Sequence, residues 1–234
     1  MALFVIADTH LSMSSNKPMD VFGGRWQDYH RKLENRWRAV VDNNDTVIIP
    51  GDISWAMTLD EGEKDLKFLD SLPGKKIILK GNHEYWWSTV TKINNFLKEK
   101  NINSIELLHN NGVICEGFAI CGTRGWYSEN ANPGNTSDYK KIVAREVGRL
   151  KRSLDSVADF QGEKLVFLHF PPVFEGFVCR EIIDLLHEYN IGRCYFGHIH
   201  GNYTCPASFE YEGIKMSLVS ADYLEFIPKY VEKN

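Results

Sequence analysis

Short, β-branched apolar runs recur along the chain, and each of them ends in glycine or in a polar residue. Such runs are typical of buried strands, and five of them are predicted as strands: 3–6, 46–49, 76–79, 164–168 and 194–196. Between them, apolar residues recur every three or four positions, as they do on one face of an amphipathic helix. Strands that alternate with helices predict an α/β fold.

The helical pattern covers five segments, namely 26–41, 59–72, 85–99, 139–157 and 180–189. Three further apolar runs, 105–109, 112–121 and 213–219, are separated by turn residues and are predicted as consecutive antiparallel strands. Two segments rich in turn residues, 11–24 and 128–138, are predicted as loops. This mixture of strand directions favours two mixed β-sheets packed as a sandwich and flanked by helices.

The length of 234 residues fits one large domain better than two small ones, and no linker divides the chain, so we expect a single domain over 1–234. The net charge of −4 provides no general cationic excess for nucleic acid or anionic membranes. No apolar stretch approaches the ~18 residues of a membrane span. The five cysteines contain no Cys-x-x-Cys spacing, which argues against a disulfide framework. We therefore expect a cytoplasmic protein with no membrane contact.

Five of the eight histidines follow predicted strands and stand beside aspartate, asparagine or glycine. They occur in the segments Asp8-Thr9-His10, Gly81-Asn82-His83-Glu84, Leu168-His169 and Gly197-His198-Ile199-His200, and Gly51-Asp52 follows another strand. Each segment alone also fits a turn or a core histidine. Together they favour a functional site, because open α/β sheets bind ligands at the carboxyl ends of their strands.

The candidate metal ligands are seven oxygen and nitrogen donors without a thiolate: Asp8, His10, Asp52, Asn82, His169, His198 and His200. One ion cannot use all seven, so we predict two divalent ions, with manganese, iron or zinc as the candidates. The two aspartates leave roughly two positive charges uncompensated, which attract a phosphate group and an ionised water. The pattern therefore favours phosphoester hydrolysis.

These segments, in this order from residue 8 to residue 200, resemble the calcineurin-like metallophosphoesterase superfamily. The resemblance implies a sandwich of two mixed sheets, with one metal held by Asp8, His10, Asp52 and His200. The second metal would be held by Asp52, Asn82, His169 and His198. The resemblance also implies that a hydroxide bridging the metals at Asp52 attacks phosphorus, while His83 assists the leaving group without binding metal.

The protein Ser/Thr phosphatases of this superfamily read Gly-Asp-x-x-Asp-Arg-Gly after the bridging carboxylate, whereas this chain has Trp55 at the second aspartate. The carboxylate that would orient His83 is therefore missing, and Glu84 or a backbone carbonyl are the remaining candidates. The longer strings 51–57, 81–87 and 122–127 resemble a branch of predicted phosphohydrolases from bacteria and archaea. A protein phosphatase is disfavoured.

Aromatic and basic residues are expected around the site, and they are Arg25, Trp26, Trp55, Trp86, Trp87, Arg124 and Trp126. Rings stack on a base or sugar and arginine binds phosphate, so Trp86, Arg124 and Trp126 are candidate substrate contacts. Packing in the core is the alternative for the tryptophans. This cluster favours a phosphodiester or nucleotide-type small molecule over a simple monoester.

A basic stripe on the predicted helix 139–157 consists of Lys141, Arg145, Arg149 and Arg152. It offers contacts to nucleic acid, but Glu146 and Asp155 are interleaved, so a solvated face is the favoured interpretation.

Two alternatives to a diesterase remain, a phosphomonoesterase and a non-catalytic metal-binding scaffold of the same fold. Loss of ligands or of His83 would favour the scaffold, and all of them are present.

Overall fold

Two β-sheets packed against each other form the centre of the protein in a computed structural model, which describes residues 1–17, 19–128 and 137–233. The first sheet consists of β1 (Leu3–Val5), β2 (Thr46–Pro50), β3 (Lys75–Leu79), β4 (Ile105–Leu107) and β13 (Lys229–Tyr230). The second sheet consists of β5 (Val113–Cys115), β6 (Phe118–Thr123), β7 (Lys164–Leu168), β10 (Arg193–Phe196), β11 (Ser208–Tyr211) and β12 (Ile214–Leu218). A short hairpin is formed by β8 (Val173–Phe174) and β9 (Phe177–Val178).

Both sheets are mixed: their central strands are parallel, and antiparallel strands lie at one edge of the first sheet and at both edges of the second. In the first sheet, ordered β13-β1-β2-β3-β4, only β13 is antiparallel to its neighbour among the described strands. In the second sheet, ordered β11-β12-β10-β7-β6-β5, the antiparallel strands are β5 and β11. These topologies confirm the predicted α/β fold class.

Helices cover the outer faces of the sheets, and they are α1 (Tyr29–Val40), α2 (Glu63–Ser71), α3 (Val90–Glu99), α4 (Ser137–Asp155) and α5 (Arg180–Glu188). In β2, Val47 and Ile49 pack into the helix-covered cluster, whereas Ile48 packs between the two sheets. Both faces of such a strand are buried, which explains why it reads as a continuous apolar run rather than as an alternating one. No helix in the described ranges is long and apolar enough to cross a membrane.

The predicted antiparallel arrangement of 105–109 is wrong, because β4 pairs in parallel with β3. Helix α3 connects these two strands and carries the chain back to the starting edge, as a parallel connection requires. The run 112–121 is the hairpin β5–β6, which turns at Glu116 and Gly117 with φ of 52° and 86°. The segment 213–219 contains β12, which is antiparallel to β11 but parallel to β10.

Helix starts differ from the prediction where turns precede the first helical residue. The structure begins α2 at Glu63 rather than 59, and α3 at Val90 rather than 85. The hydroxyl of Thr89 accepts a hydrogen bond from the Lys92 N–H and so caps α3.

The predicted loop 11–24 contains a short 3₁₀ helix, Met19–Phe22. Most of the predicted loop 128–138 lies outside the described residues.

Candidate metal centre

The predicted ligands converge at the carboxyl ends of strands from both sheets. Three of these strands belong to the first sheet: β1 leads to Asp8 and His10, β2 to Asp52, and β3 to Asn82. The other two belong to the second sheet: β7 leads to His169, and β10 to His198 and His200. Parallel strands of two packed sheets thus deliver all seven side chains to one place.

The side chains form two groups of potential ligands that share a neighbour. Within each group the ligand atoms lie no more than 4.8 Å apart, and the groups are Asp8, His10, His200 and Asp52, His169, His198. Oδ2 of Asp52 lies 3.5 Å from Nε2 of His169, in its own group, and 3.7 Å from Nε2 of His10, in the other. Oδ1 of Asn82 lies 2.5 Å from Nε2 of His169. Asp52 therefore lies between two clusters of nitrogen and oxygen donors.

Left-handed backbone conformations direct four of these side chains toward the site. Asp8, His10, Asp52 and His198 have φ of 58°, 44°, 51° and 71°. This conformation is uncommon for residues with a side chain and concentrates at functional sites. Here it bends the chain sharply where it leaves the strand, so side chains of three different strands reach one centre.

Two glycines of the sequence motifs make room for the carboxylates. A Cβ atom at Gly81 would lie 2.2 Å from Oδ1 of Asp52, and one at Gly197 would lie 2.4 Å from Oδ2 of Asp8. Both distances are far below van der Waals contact. Glycine is therefore required before Asn82 and before His198 so that the two aspartates can approach the neighbouring strand ends.

The electrostatics of the cluster suit divalent cations. Burial raises the pKa of Asp8 to about 8 and lowers the pKa values of His169 and His198 to about 3. Oδ1 of Asp8 is buried without a hydrogen-bond partner in the part of the chain that the structure describes. Neutral imidazoles present lone pairs to a metal, and a cation removes the cost of burying carboxylates. The donor set, nitrogen and oxygen without sulfur, fits manganese, iron or zinc.

His200 is oriented by Asp222, a residue that the sequence motifs do not include. Nδ1 of His200 lies 2.8 Å from Oδ1 of Asp222, whose Oδ2 accepts hydrogen bonds from the Gly201 N–H and the Tyr203 hydroxyl. Burial alone would lower the pKa of His200, but the hydrogen bond to Asp222 and the charge of Asp8 raise it to about 9. Asp222 follows the predicted strand 213–219, so its position just after a strand was the available signal.

Replacing Asp222 with asparagine is expected to weaken metal binding about 10- to 100-fold, the usual effect of losing the partner of a histidine ligand. The amide still accepts one hydrogen bond, but it loses the charge that fixes the ring and its basicity. Competition with a chelator measures the affinity. Asp159→Asn, a change at an exposed carboxylate, is the control, and equal affinities of both variants and the wild type would contradict this role.

Glu84 was one of two candidates for orienting His83, and within the described residues its carboxylate forms no hydrogen bond or ion pair with that ring. Its buried carboxylate accepts hydrogen bonds from the backbone N–H groups of Asp52, Ile53 and Gly81. These donors belong to the loops that follow β2 and β3. Glu84 therefore joins the two loops that carry Asp52 and Asn82.

Replacing Glu84 with alanine is expected to lower the free energy of unfolding by about 3 kcal/mol or more, because it leaves buried backbone donors unpaired. Denaturant unfolding after chelation separates this effect from metal binding. Glu99→Ala is the matched control, since that carboxylate is 75% exposed on α3. A difference between the two variants of less than about 1 kcal/mol would contradict the proposed role of Glu84.

His83 lies at the rim of the cluster. Its side chain is 30% exposed, and its Nε2 lies 3.9 Å from Oδ2 of Asp52. Nδ1 lies 3.3 Å from the Tyr85 hydroxyl. The indole of Trp55, at the position of the missing aspartate, packs against His83 with ring centroids 4.3 Å apart. Tyr85 and Trp55, rather than the candidate Glu84, therefore contact this ring and restrain it.

A cavity of about 310 Å³ opens at the two groups of ligands. Its polar side includes His10, Asp52, His83, His198 and His200. The lining also includes the apolar and aromatic side chains of Met19, Phe22, Trp26 and Trp55, and both tryptophan rings pack against histidines of the site. A molecule bound here would therefore contact both the candidate ligands and aromatic and apolar surface.

The three candidate substrate contacts occupy different environments. Trp86 is 2% exposed within the helix-covered core, so its ring has no free face for a substrate. Trp126 packs edge-on against Phe170, with centroids 6.0 Å apart. Arg124 lies in a second cavity that also includes Arg145 and Arg149 of the predicted basic stripe. Its substrate contact remains a prediction, as does that of Trp126.

The sequence profile described as calcineurin-like phosphoesterase matches residues 1–202. The phosphopantetheinyl hydrolase of Mycobacterium tuberculosis superimposes with a TM-score of 0.57 at 15% identity, covering 100% of this chain and 96% of that chain. A protein of Thermus thermophilus superimposes with a TM-score of 0.57 at 10% identity, covering 94% of this chain and 89% of that chain. A protein of unknown function from Aquifex aeolicus superimposes with a TM-score of 0.50 at 16% identity, covering 98% of this chain and 95% of that chain.

At these identities the structural likenesses show the fold alone. A search of curated protein sequences gives no match.

Proposed function

The chain belongs to the calcineurin-like phosphoesterase family, and on that premise we propose that it is a dimetal phosphodiesterase acting on a small, nucleotide-like molecule. Family membership makes it a metal-dependent hydrolase of phosphoesters. The number of metals and the preference for diesters are the proposed parts. The observation that carries the proposal is the position of Asp52 between two groups of candidate ligands.

One ion would take Asp8, His10, Asp52 and His200 as ligands, and the other would take Asp52, Asn82, His169 and His198. The distances of Asp52 Oδ2 to a histidine of each group, 3.7 Å and 3.5 Å, support a shared carboxylate. Its other oxygen, Oδ1, accepts the backbone N–H of His83 at 2.8 Å. This hydrogen bond fixes the carboxylate so that Oδ2 faces both groups.

Two divalent ions, when bound, lower the pKa of a water and stabilise the charge on phosphoryl oxygens. The chain itself supplies the orientation of the substrate and the proton for the leaving group. Nε2 of His83 is the nitrogen nearer to Asp52, and a proton held there can pass to the departing oxygen. The Tyr85 hydroxyl beside Nδ1 restrains the ring in this orientation.

The apolar side of the cavity supports an organic substituent on the phosphate. Trp55 is partly exposed and Phe22 is 65% exposed at this cavity, whereas Trp26 is 1% exposed and supports the site from below the surface. Exposed aromatic surface in a cavity stabilises a base or another flat group by stacking and burial. A diester carries two organic groups on phosphorus. One of them can pack against this apolar surface while the other is the leaving group near His83.

The chelated protein is expected to be inactive toward bis(p-nitrophenyl) phosphate and to regain activity with manganese. It should hydrolyse this diester with a higher kcat/KM than p-nitrophenyl phosphate, the corresponding monoester. Asp52→Asn purified in the same way controls for contaminating phosphatases. Activity that survives verified removal of the metals would overturn the proposal, and preference for the monoester would favour a phosphomonoesterase instead.

A further inference from the structure

A second cavity, of about 360 Å³, has a strongly basic lining. Four of its lining side chains are cations, Lys80, Arg124, Arg145 and Arg149, and His109 lies beside them. No carboxylate lines the cavity within the described part of the chain. Burial and the charges of Arg149 and Lys80 lower the pKa of His109, as expected where cations are crowded.

The only carboxylate that pairs with these cations in the described ranges is Glu146. It is fully buried and lies 2.6 Å from Nη1 of Arg149 and 3.6 Å from Nη2 of Arg124. One negative charge does not balance four positive ones. Lys80 and Arg145 form no ion pair with any described residue.

Two donors of the lining are left without partners. Nε of Arg124 and Nε1 of Trp87 are buried and have no hydrogen-bond acceptor among the described residues. Buried donors without acceptors are costly, and in native proteins they usually have a partner such as water or a ligand. An anion in the cavity would supply both the missing acceptors and the missing negative charge.

Two residues that line the second cavity are close to candidate metal ligands in the sequence or in the backbone hydrogen-bond pattern. Lys80 immediately precedes Gly81 and Asn82 at the end of β3. The carbonyl of Arg124 accepts the N–H of Phe170 at 2.8 Å, and Phe170 directly follows His169. The strand ends that position two candidate ligands therefore also position two of the cations.

We propose that this cavity binds a second phosphate group carried by the substrate, so that the preferred substrate is a phosphodiester with an additional phosphate. The inference rests on the proposed function, because the scissile phosphate occupies the metal centre. The cavity volume of about 360 Å³ leaves ample room for a phosphate group, and the four cations rather than the volume favour this ligand. Arginine fits such a group through paired N–H donors.

Binding of inorganic pyrophosphate to the metal-free protein tests the cavity apart from the metals, because the divalent ions that would bind this anion are then absent. Calorimetric titration should show binding to the wild type and about tenfold weaker binding to Arg145→Gln and Lys80→Gln, the effect of one charge-assisted contact. Arg145 is exposed on α4, so its replacement spares the core. Lys140→Gln, on the same helix but outside the lining, should bind like the wild type.

Kinetics with the manganese-loaded enzyme identify the source of the phosphate. Thymidine 5′-(p-nitrophenyl phosphate) is compared with the same ester carrying a 3′-phosphate. The extra phosphate should lower the KM of the wild type and of Lys140→Gln about tenfold. Arg145→Gln should lose this advantage, while its kcat for the ester without the extra phosphate stays unchanged.

The outcomes separate the two proposals. Absence of pyrophosphate binding, or equal weakening by Lys140→Gln, with intact hydrolysis would overturn the inference and leave the proposed function standing. Pyrophosphate binding without a KM advantage for the 3′-phosphate would overturn the substrate assignment and indicate a site for free phosphate. Binding without hydrolysis of either ester would overturn the proposed function and, with it, the assignment of the cavity to a substrate.

Discussion

Replacing Asp52 with asparagine is expected to lower the metal content of both sites together and to reduce kcat/KM by about 10³-fold or more. The carboxylate oxygen Oδ2 lies within 4 Å of a histidine of each ligand group, so its charge serves both. Asparagine keeps the shape of the side chain and an oxygen for the His83 N–H, but it loses that charge. Elemental analysis after manganese reconstitution measures the metal content, which should be close to two ions in the wild type.

The contrast with His10→Ala makes this test specific, because His10 belongs to one group only. That variant should lose mainly one ion. His30→Ala removes a histidine outside both groups and should keep the metal content of the wild type. The bridging role is wrong if Asp52→Asn and His10→Ala leave the metal content equally unaffected, or if the reconstituted wild type holds fewer than one ion.

Replacing His83 with alanine or asparagine is expected to preserve both ions and the fold while it lowers kcat by about 10²- to 10⁴-fold, the usual contribution of a general acid. The loss should be large for a diester with an alkoxide leaving group, which needs a proton. It should be smaller for a nitrophenolate, which leaves without one. Steady-state rates with both substrates and elemental analysis of the same preparations check the prediction.

Tyr85→Phe is the matched control for His83, since it removes the hydroxyl beside Nδ1 and leaves the imidazole in place. It should cost less activity than removal of the imidazole. Equal slowing of both substrates by His83→Ala would indicate charge stabilisation rather than proton donation. Loss of a metal would make His83 a ligand, and unchanged rates would favour the non-catalytic scaffold.

The seven candidate ligands could be predicted because each follows a recognisable apolar strand. Parallel strands place their carboxyl ends together, so position along the chain translates directly into position in space. The direction of β4 was not available from its own residues, because Ile105–Leu107 fits a strand of either direction. Its pairing with β3 depends on α3, which turns the chain back before β4 begins.

Contacts between distant residues limited the prediction of the site. Glu84 ends the segment Gly81-Asn82-His83-Glu84, yet its carboxylate accepts a hydrogen bond from the N–H of Asp52, which is 32 residues away in the sequence. Trp55 and Trp86 both stand beside motif residues, but only Trp55 lines the cavity at the metal centre. Trp86 faces the core. The sequence periodicity also did not indicate the short 3₁₀ helix Met19–Phe22, whose residues Met19 and Phe22 line this cavity.

The candidate ligands are divided between the two sheets, so bound metals would also have a structural role. Asp8, His10, Asp52 and Asn82 extend from the first sheet, whereas His169, His198 and His200 extend from the second. On the proposed assignment, each ion cross-links the sheets at their shared seam and ties segments far apart in the chain, as a disulfide does. On that assignment the packing of the sheets at this end depends on bound metal as well as on apolar contacts, so we expect chelation to loosen it.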